Sequence, residues 1–512
     1  MYKIGTRGSL LAVTQATITK NKLEELTGEK FELVLIKTQG DQIVDRPLWQ
    51  LEGKDFFTKE LDAALLNGDV DLVIHSYKDL GSERPQGIKL AAITERSFAH
   101  DVLLTKKATV NKLKNWSGDF IVGTSSPRRI VNLTSDLSHF IPSHPTIRTE
   151  TLRGNINTRI QKLKDDNYHA ITLALAGVER LAHRPDSLAQ LRELLDGLTF
   201  AVLPQSVFPS AASQGALGIE VAEDRADQGK LLSLIQRIHH APTEQEVKRE
   251  REAFKSYGGG CHLAVGIHVR EFAGNFLHFH KGTVDEQKIH VKKREGVKLE
   301  RIEAARAFLG TGSCEGVLSD ELFKKIPTGK VATVENQHVF VTTALALDSL
   351  PKVPASKEAG TQEAGTFWAA GPETRKKLVE KGFWVHGGAD GMGHSEIIKL
   401  RNSKALQLMM GDHSWIVLSH DKATSPLGET FASYTHEMTP PSTAQLAELK
   451  KITHAWWASY PQYEAYTQLV PELKNIQHFC GLGKTYLSFK DKNITVTALT
   501  DHKEFLTLLG KL

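Results

Sequence analysis

The sequence predicts a protein of the α/β class, with two α/β lobes around a cleft, a small α+β third domain and a C-terminal α/β region. Over the first 220 residues, short apolar runs alternate with amphipathic helical patterns, as in "KFELVLIKT", "FFTKELDAALLNG" and "VDLVIHS". This is the rhythm of βαβ units. From about residue 240, a helical pattern that ends in glycines precedes three strand patterns, "AVGIHVR", "FLHFHKG" and "KIHVKKR". A chain of 512 residues also exceeds what one core accommodates.

The βαβ rhythm stops and resumes in a way that divides the chain. A second set of βαβ patterns begins at "DFIVGTSSPRRIVNL" and connects back to the first set through "LTFAVLPQSVFPSAASQGALGIEV". We expect lobe 1 at residues 1–98 plus about 200–222, lobe 2 at 99–199, the α+β domain at 223–310 and the extension at 311–512. Two lobes of this kind leave a cleft between them in which ligands bind.

Composition excludes several classes of protein. The 64 Lys and Arg residues nearly balance the 60 Asp and Glu residues, and no basic stripe with interleaved aromatic residues indicates nucleic acid. No apolar run reaches the length that spans a bilayer, and the start lacks a secretory h-region, so we expect a cytoplasmic protein without a membrane partner. The three cysteines have neither disulfide nor metal-ligand spacing, so no metal site is expected.

The segment "IVGTSSPRR" combines a buried strand with a basic helix start. Ser126 is a plausible N-cap, Pro127 occupies the first helical position, and Arg128 and Arg129 fall in the first turn. Cations there oppose the helix dipole, which makes sense if an anion binds at this position. A solvated basic turn is the alternative.

Further arginines follow other predicted strands. Arg7 lies in the turn "GTRGS", and "TLRGNINTR" places Arg153 and Arg159 around Gly154. Strand-to-helix junctions of α/β sheets line the ligand crevice, so this clustering favours a substrate with several carboxylates or phosphates. Because no phosphate-binding loop of the GxxxxGK[ST] type and no GxGxxG is present, carboxylates are favoured over phosphates.

Two further segments add charged groups. "VDLVIHSYKDLG" places His75, Lys78 and Asp79 at the end of a buried strand, where Lys78 can bind an anion and Asp79 can face a developing cation. A structural ion pair is the alternative. "EGKDFFTKE" carries Lys54 and Lys59 on a segment that could cover the cleft as a lid; an exposed loop is the alternative.

Cys261 follows three glycines in "SYGGGCHLAVG". A cysteine is most often a small buried hydrophobic residue. Glycines let the backbone approach another group closely, and a thiol beside a basic cleft has a lowered pKa and acts as a nucleophile. Cys314 and Cys480 have no such setting and are expected to be structural.

Residues 1 to about 310 resemble hydroxymethylbilane synthase, also called porphobilinogen deaminase. The resemblance is carried, in order, by "GTRGSLLAVTQA", "KTQGDQIVDRPL", "GKDFFTKELDAALL", "DLVIHSYKDL", "IVGTSSPRR", "LRGNINTRIQKL", "AGVERL", "SQGALGIE" and "GGGC". It implies lobes like those of periplasmic binding proteins and a dipyrromethane cofactor bound to Cys261 through a thioether. It also implies that the small molecule porphobilinogen is the substrate, with four units joined to this primer, each losing ammonia, before hydrolysis releases the linear tetrapyrrole. A monomer is expected.

The resemblance also assigns roles to residues. Asp79 and Lys78 match the catalytic positions, with Asp79 assisting ammonia loss and deprotonation at the pyrrole nitrogens. The positions that match cofactor contacts are Cys261, Ser9, Lys78, Asp79, Thr124, Ser125, Ser126, Arg128, Arg129, Arg153 and Gly154. The positions that match substrate contacts are Arg7, Arg153, Arg159, Arg180, Lys54 and Lys59.

The chain departs from the family's pattern at several places. Tyr77, Leu80 and Gly81 replace the usual Met, Val and Pro around the catalytic pair, which puts the stiffness of that loop in question. Ser213 replaces a common glycine, and "HLA" follows Cys261 in place of a segment that ends in proline. None of these changes removes a charged catalytic group.

The extension more loosely resembles uroporphyrinogen-III synthase, in "FWAAGPETRKKLVEKGFWVHGGADG", "KITHAWWASYPQYEAY" and "IQHFCGLGKTYLSF". This resemblance implies a second activity on the released tetrapyrrole; an inactive or scaffolding remnant is the alternative. For the whole chain, the alternative function is a solute-binding module of the same two-lobe fold, which would bind a small anion reversibly without catalysis.

Overall fold

The computed structural model describes residues 1–38, 58–81, 83–225, 227, 229–260, 262–296, 300–303, 306–351 and 365–512. Lys54 and Cys261, which the sequence assigns to the site, lie outside these residues. The chain divides into two compact units. The first contains Met1–Glu271, His278–Val291 and Arg401–Gly411, and the second contains Phe272–Leu277, Lys292–Leu400 and Asp412–Leu512.

The first sheet of the first unit has the strand order β2-β1-β3-β10-β4. β1 pairs in parallel with β2 and β3, whereas β10 pairs antiparallel with β3 and β4. Helix α1 begins after Ser9, whose hydroxyl accepts a hydrogen bond from the Ala12 N–H, and it ends at Gly28. The elements are β1 Tyr2–Arg7, α1 Leu10–Thr27, β2 Phe31–Ile36, α2 Lys59–Leu66, β3 Leu72–Ser76, β4 Ile88–Ile93 and β10 Leu217–Ala222.

The second sheet of the first unit has the order β7-β6-β8-β5-β9. β6 pairs in parallel with β7 and β8, and β5 pairs antiparallel with β8 and β9. The strands are β5 Asp101–Lys106, β6 Phe120–Gly123, β7 Ile147–Glu150, β8 Ala170–Ala174 and β9 Leu198–Val202. The helices are α3 Lys107–Lys112, α4 Pro127–Asp136, α5 Ile156–Lys164, α6 Leu175–Ala182 and α7 Pro185–Leu195.

Two connections run between these sheets. The whole second sheet lies in sequence between β4 and β10, so the first sheet is discontinuous in the chain. β9 extends to Val202, three residues beyond the predicted end of lobe 2 at residue 199, because it pairs with β5 as far as Val102↔Val202. Both sheets bury a continuous apolar face, with Ile4, Leu72, Leu103 and Ile171 at 0% exposure.

Helices α8 and α9 and a three-stranded sheet follow the second sheet. The structure confirms the three predicted strands, in the order β11-β12-β13. Helix α9 is capped by His240, whose Nδ1 accepts a hydrogen bond from the Thr243 N–H. The elements are α8 Lys230–Ile235, α9 Ala241–Ser256, β11 Ala264–Phe272, β12 Asn275–Val284 and β13 Gln287–Arg294.

The second unit contains a parallel sheet, β15-β14-β22-β23-β24, and a mixed sheet, β16-β21-β20-β17-β18-β19, in which only the β16 pairing is antiparallel. Because β14 pairs with β22, residues 307–309 belong with the extension rather than with the predicted α+β domain. The strands are β14 Ala307–Leu309, β15 Leu318–Ser319, β16 Phe323–Pro327, β17 Gln337–Val341, β18 Phe367–Ala369, β19 Gly387–Gly388, β20 Ser414–His420, β21 Glu429–Met438, β22 His454–Trp457, β23 Gln477–Gly481 and β24 Thr497–Leu499.

One helix of the C-terminal sequence, α12, belongs to the first unit, although the prediction placed all of residues 311–512 in the extension. The helices after residue 310 are α10 Pro372–Glu380, α11 His394–Arg401, α12 Lys404–Met410, α13 Thr443–Leu449, α14 Tyr460–Leu469, α15 Lys484–Asp491 and α16 His502–Leu508. No helix in the described part of the chain is both long enough and apolar enough to cross a membrane. The protein is thus a mixed α/β protein with several sheets, as predicted.

Candidate active site

Three arginine-bearing segments follow three neighbouring strands of the second sheet. β6 leads into residues 124–129, β7 leads into residues 153–159, and β8 leads into α6, which carries Arg180. Because β6 pairs in parallel with both β7 and β8, the three segments leave the sheet at the same edge. Ligands of α/β proteins bind at this edge. We refer to these segments, together with Lys78 and Asp79, as the basic edge.

Arg128 and Arg129 are both buried and share one carboxylate, that of Asp101 at the start of β5. Arg128 Nη1 lies 2.8 Å from Asp101 Oδ2, and Arg129 Nη2 lies 2.7 Å from Oδ1. Burial by itself raises the pKa of Asp101, but the two guanidinium groups hold it well below its usual value. The arginines therefore face an internal anion, which the sequence-based interpretation of "SSPRR" did not foresee.

The guanidinium groups also donate to main-chain carbonyls. Arg128 Nη1 donates to Pro209 O at 3.0 Å, and Arg129 Nη1 donates to Thr172 O at 3.0 Å. Two arginines on one aspartate leave this part of the edge with an excess of positive charge. Removing one partner of such a buried ion pair typically destabilises the folded protein by about 3–5 kcal/mol. The Asp101 carboxylate therefore compensates the two buried guanidinium charges.

Gln214 connects this charge cluster to the turn after β3 that carries Lys78 and Asp79. Its side-chain amide donates to Asp101 Oδ1 at 3.0 Å, and Lys78 Nζ donates to its Oε1 at 3.3 Å. Burial lowers the pKa of Lys78 to about 8, with the Asp79 carboxylate acting in the opposite direction. Lys78 is thus a cation whose charge is weakly held in the absence of an added anion.

A short 3₁₀ turn, Tyr77–Asp79, follows β3. Asp79 is the last residue of this turn, and the Asp79 side chain is exposed. The nearby cation is Arg180, which donates to Gly215 O at 2.7 Å. Burial lowers the pKa of Arg180 to about 10, and Asp79 opposes that shift. An exposed carboxylate thus acts electrostatically on a partly buried arginine at the basic edge.

The segment after β7 adds two more cations. Arg159 Nε donates to the carbonyl oxygen of Gly154 at 2.8 Å. Burial lowers the pKa of Arg159 to about 10, and the charges of Arg129 and Arg153 lower it further. Within the described residues, Arg153, Arg159 and Arg180 form no ion pair with an acid. These three guanidinium groups are available to carboxylates of a ligand.

The hydroxyl groups of the "TSS" segment are arranged locally. The Ser125 hydroxyl donates to Leu152 O at 2.8 Å and accepts from Leu152 N–H at 3.1 Å, which ties the segments after β6 and β7 together. The Thr124 hydroxyl accepts from the Ser126 N–H. Ser126 is the N-cap residue of α4 with Pro127 at the first position, as predicted, and its side chain makes no capping hydrogen bond. This hydroxyl is therefore not committed to the helix.

The remaining predicted residues lie on the first sheet and its helices. Arg7 ends β1, and because β1 pairs in parallel with β3, Arg7 and Lys78 leave the sheet at the same edge. Ser9 caps α1, and Lys59 is exposed at the start of α2. Their contact with cofactor or substrate stays a prediction.

Arg251 on α9 bonds to the loop that contains Lys78 and Asp79, and it was not predicted. Its Nη1 donates to Tyr77 O at 3.2 Å, and its Nη2 donates to Leu80 O at 3.1 Å and to Gly81 O at 2.6 Å. The guanidinium carbon also lies 4.6 Å from the centre of the Tyr77 ring, a distance typical of a cation–π contact. Although Tyr77, Leu80 and Gly81 depart from the family's usual residues, their hydrogen bonds to Arg251 restrain this loop.

The residue before Arg251 joins α9 to three other segments. The buried Glu250 carboxylate accepts from Arg96 Nη1 at 2.9 Å, from the Ser213 N–H at 2.7 Å and from the Val269 N–H at 2.8 Å. Ser213 has a positive φ of 64°, which explains why glycine is common there. Helix α9 thus contacts both the turn after β3 and the segment that carries Gln214.

A second buried cluster lies on the first sheet. Asp62, His75 and Glu220 are close enough to hold a metal ion. The Arg84 guanidinium donates hydrogen bonds to the carboxylates of Asp62 and Glu220, with a distance of 2.7 Å to Glu220 Oε1. His75 Nε2 lies 3.3 Å from Glu220 Oε2. His75 thus lies against the buried Glu220 carboxylate.

The comparisons identify the family. Residues 2–230 match the family model "Porphobilinogen deaminase, dipyromethane cofactor binding domain". The porphobilinogen deaminase of Desulfitobacterium hafniense is 40% identical over 268 residues, which make up 52% of this chain and 78% of that protein. The enzyme of Shouchella clausii is 34% identical over 326 residues, 63% of this chain and 91% of that protein. The chain belongs to the porphobilinogen deaminase family.

The match with other deaminases covers the basic edge of this one. Lys78, Asp79 and every arginine of the edge fall within residues 2–230, and the acid Asp101 falls there too. Arg251, Glu250 and Cys261 follow the matched region. The resemblance inferred from the sequence is therefore confirmed for the deaminase part.

Solved structures add little to this. Uroporphyrinogen-III synthetase from Helicobacter pylori 26695 is 14% identical with a TM-score of 0.29, and the likeness covers 40% of this deaminase and 99% of that chain. Immunogenic lipoprotein A from Vibrio vulnificus is 12% identical with a TM-score of 0.27, over 49% of this deaminase and 98% of that chain. Both TM-scores are too low to define a fold or a function for any part of the deaminase.

Proposed function

We propose that the chain is a hydroxymethylbilane synthase, which joins porphobilinogen units with loss of ammonia and releases the linear tetrapyrrole by hydrolysis. The observation that carries this is the basic edge, where Lys78 and five arginines lie with the exposed Asp79 and the buried Asp101. Each pyrrole of the substrate carries two carboxylates, so the growing chain needs such a surface. In this proposal, the two sheets of the first unit correspond to the two lobes that enclose the substrate.

The residues fit a dipyrromethane cofactor, whose two pyrroles carry four carboxylates. Arg153, Arg159 and Arg180 offer guanidinium groups without an ion pair among the described residues, and the Ser126 hydroxyl is uncommitted. Gly259 and Gly260 have φ of 62° and 92°, so the chain reaches Cys261 through backbone that favours glycine. When bound through a thioether at Cys261, the cofactor supplies the pyrrole carbon to which the first substrate unit is joined.

In the proposed reaction, the basic residues bind the substrate and Asp79 takes part in the chemical steps. The arginines and Lys78 hold the acetate and propionate groups and orient the aminomethyl carbon of the substrate. Breaking the bond from that carbon to nitrogen releases ammonia and leaves positive charge, which spreads to the pyrrole N–H. Asp79 accepts a hydrogen bond from this N–H and so stabilises the charge. After the new carbon–carbon bond forms, the same carboxylate removes the proton that restores the pyrrole.

An assay of the full-length chain with porphobilinogen separates this function from reversible anion binding. A synthase releases one ammonia for each porphobilinogen consumed and forms a linear tetrapyrrole. A solute-binding module retains porphobilinogen without consuming it, so binding without ammonia release would overturn the proposal. The monomeric state and cytoplasmic location stay predictions.

The pH dependence should report on Lys78. Because burial lowers the pKa of Lys78 to about 8, kcat/KM for porphobilinogen is expected to fall as the pH rises through that value, since neutral lysine no longer attracts carboxylates. Lys78→Arg should remove this fall, because a guanidinium stays charged. The measurement is kcat/KM against pH for both proteins. Lys107→Arg, an exposed lysine on α3, is the control, and a profile unchanged by Lys78→Arg would contradict the assignment.

For the extension we propose uroporphyrinogen-III synthase activity, favoured by a cluster of basic side chains in the second unit. The His420 and His436 rings lie 4.8 Å apart, and Lys325 Nζ lies 5.8 Å from the centre of the Tyr434 ring. Burial lowers the pKa of His436 to about 4, and the charges of His420 and Lys325 lower it further, with Asp421 opposing them. Lys325 supplies a positive charge to this cluster, and the His436 imidazole, neutral near pH 7, can donate a hydrogen bond to a carboxylate of the ligand.

Two further residues extend this cluster. Burial lowers the pKa of His394, and the charge of Lys484 adds to that shift. His394 begins α11 and Lys484 begins α15. The loops before these helices are in contact at Gly483 and Gly391, so closely that a Cβ atom on Gly483 would lie only 2.1 Å from Gly391 O. Only glycine allows this contact, since Gly483 also has φ of 115°. Two helix N-termini and their basic residues thus lie together.

Product analysis tests the second activity. With porphobilinogen, the wild-type chain should form type III uroporphyrinogen, and Lys484→Ala should shift the product toward type I without slowing porphobilinogen consumption. Lys490→Ala removes an exposed lysine from the same helix and should keep the wild-type product. Type I uroporphyrinogen alone from the wild-type chain would mean an inactive or scaffolding extension.

A further inference from the structure

A short helix from the C-terminal half of the sequence is part of the first unit. Residues 401–411 belong to this unit, and α12 packs against α6, α7 and β9 of the second sheet. Its inward side chains, Ala405, Leu406 and Met410, are buried. The deaminase part of the chain therefore contains an element that lies about 90 residues beyond the deaminase segment in sequence.

Glu179 joins this helix to α6. Its carboxylate is buried and accepts hydrogen bonds from the Ser403 hydroxyl and from the N–H groups of Lys404 and Ala405, both at 3.1 Å. His183 Nε2 lies 2.9 Å from the same carboxylate. The Ser403 hydroxyl also accepts from the Leu406 N–H at 3.2 Å. The buried Glu179 carboxylate thus contacts both the first turn of α12 and His183, the residue that follows α6.

The residue after Glu179 is Arg180, which belongs to the basic edge and donates to Gly215 O at 2.7 Å. Helix α6 has only eight residues, and its N-cap Ala174 makes no side-chain hydrogen bond, so its own ends restrain it little. Among the described residues, the Arg180 side chain makes one hydrogen bond, to Gly215 O. The hydrogen bonds of Glu179 to α12 therefore add polar contacts to the packing of α6 against α1, α7 and β8, close to the turn that carries Arg180.

We propose that residues 401–411 are a positioning element of the deaminase reaction, with Ser403 and Glu179 as positioning residues for Arg180. The proposal rests on the proposed synthase function for its kinetic consequence. The same segment continues into α11 on one side and β20 on the other, both of them elements of the mixed-sheet part of the second unit. The C-terminal half is thus a component of the first activity, whether or not it has one of its own.

Ser403→Ala in the full-length chain tests the proposal. Loss of the hydroxyl removes the capping bond to α12 and one donor to Glu179, so KM for porphobilinogen is expected to rise about threefold to tenfold while kcat changes less. Ser403→Thr keeps a hydroxyl and should restore KM. Ser442→Ala is the matched control, because Ser442 caps α13 in the second unit by the same hydrogen-bond pattern.

A second readout separates the proposal from the synthase function itself. Without substrate, amide hydrogen exchange over residues 178–183 should be faster in Ser403→Ala than in the wild type and unchanged in Ser442→Ala. This comparison still decides about positioning if the wild-type chain consumes no porphobilinogen. If Ser403→Ala does not fold, Glu179→Gln, which keeps the shape and loses the charge, takes its place. Unchanged KM and unchanged exchange in the folded variant would overturn the proposal.

Discussion

Replacement of Cys261 by serine is expected to give a full-length protein without a covalent adduct and with porphobilinogen turnover reduced at least about a hundredfold. The denatured wild-type protein should carry the mass of two linked pyrroles derived from porphobilinogen, because the family model that the chain matches is that of a dipyrromethane-binding domain. A serine hydroxyl does not form the thioether, so the primer is no longer retained. Intact mass spectrometry of both proteins, beside a turnover assay, makes the comparison.

The chain provides matched controls for this experiment. Cys314 is half-buried, and Cys314→Ser should keep both the adduct and the activity. Cys480 is buried and burial raises the pKa of its thiol to about 12, so this thiol is not a nucleophile near neutral pH. An adduct that survives Cys261→Ser, or a bare wild-type mass after incubation with porphobilinogen, would show that Cys261 is not the attachment site.

Asp79→Asn is expected to reduce kcat about 10²- to 10⁴-fold and to change KM for porphobilinogen much less. The amide is nearly isosteric, but it carries no negative charge to stabilise the cation formed as ammonia leaves, and it does not accept the proton from the pyrrole. The lysine and arginines that bind carboxylates are untouched. The measurement is kcat and KM of the variant after its adduct content has been verified by mass.

Exposure makes this substitution a clean test of chemistry. The Asp79 side chain is exposed, so the change should leave the melting temperature within about 2 °C of the wild type. Asp69→Asn, another exposed aspartate shortly before β3, is the matched control and should keep wild-type kcat. A kcat of Asp79→Asn within about threefold of the wild type would remove Asp79 from the mechanism.

Helix α9 connects the two parts of this mechanism. Arg251 bonds to the carbonyl oxygens of Tyr77, Leu80 and Gly81, while the C-terminal end of the same helix leads through Gly259 and Gly260 to Cys261. One helix therefore contacts the loop around Asp79 and leads toward the cysteine that we propose as the attachment site. The family's usual proline at position 81 is absent, and the three hydrogen bonds of Arg251 restrain the loop in its place.

Much of the architecture was predictable because local patterns carried it. The βαβ rhythm predicted the parallel strands β1, β3, β6 and β8, and the pattern Ser126-Pro127 predicted the start of α4. Since the ends of neighbouring parallel strands meet at one edge, the arginines after them could be expected near each other. The three strands β11–β13 were also predictable from their alternating apolar residues.

The partners of these residues were not predictable from pattern. Asp101 begins an apolar strand and is one of many acids in the sequence; only the pairing of β5 with β8 places it against Arg128 and Arg129. Gln214 and Arg251 contact Lys78 and its turn across 136 and more than 170 residues of sequence. For Asp101, the one signal in the local sequence was its position as a charged residue beside apolar residues, in "AHDVLLT".

The sequence by itself therefore determined the α/β class, the family and the residue types that the chemistry needs, because these depend on local periodicity and on ordered motifs. Tertiary structure alone decided which charges are compensated: Arg128 and Arg129 by Asp101, and Glu179 by the first turn of α12. A buried charge requires a partner within hydrogen-bonding distance, and folding can supply that partner from any point of the chain. For this reason the helix that holds the turn of Arg180 comes from residues 404–410.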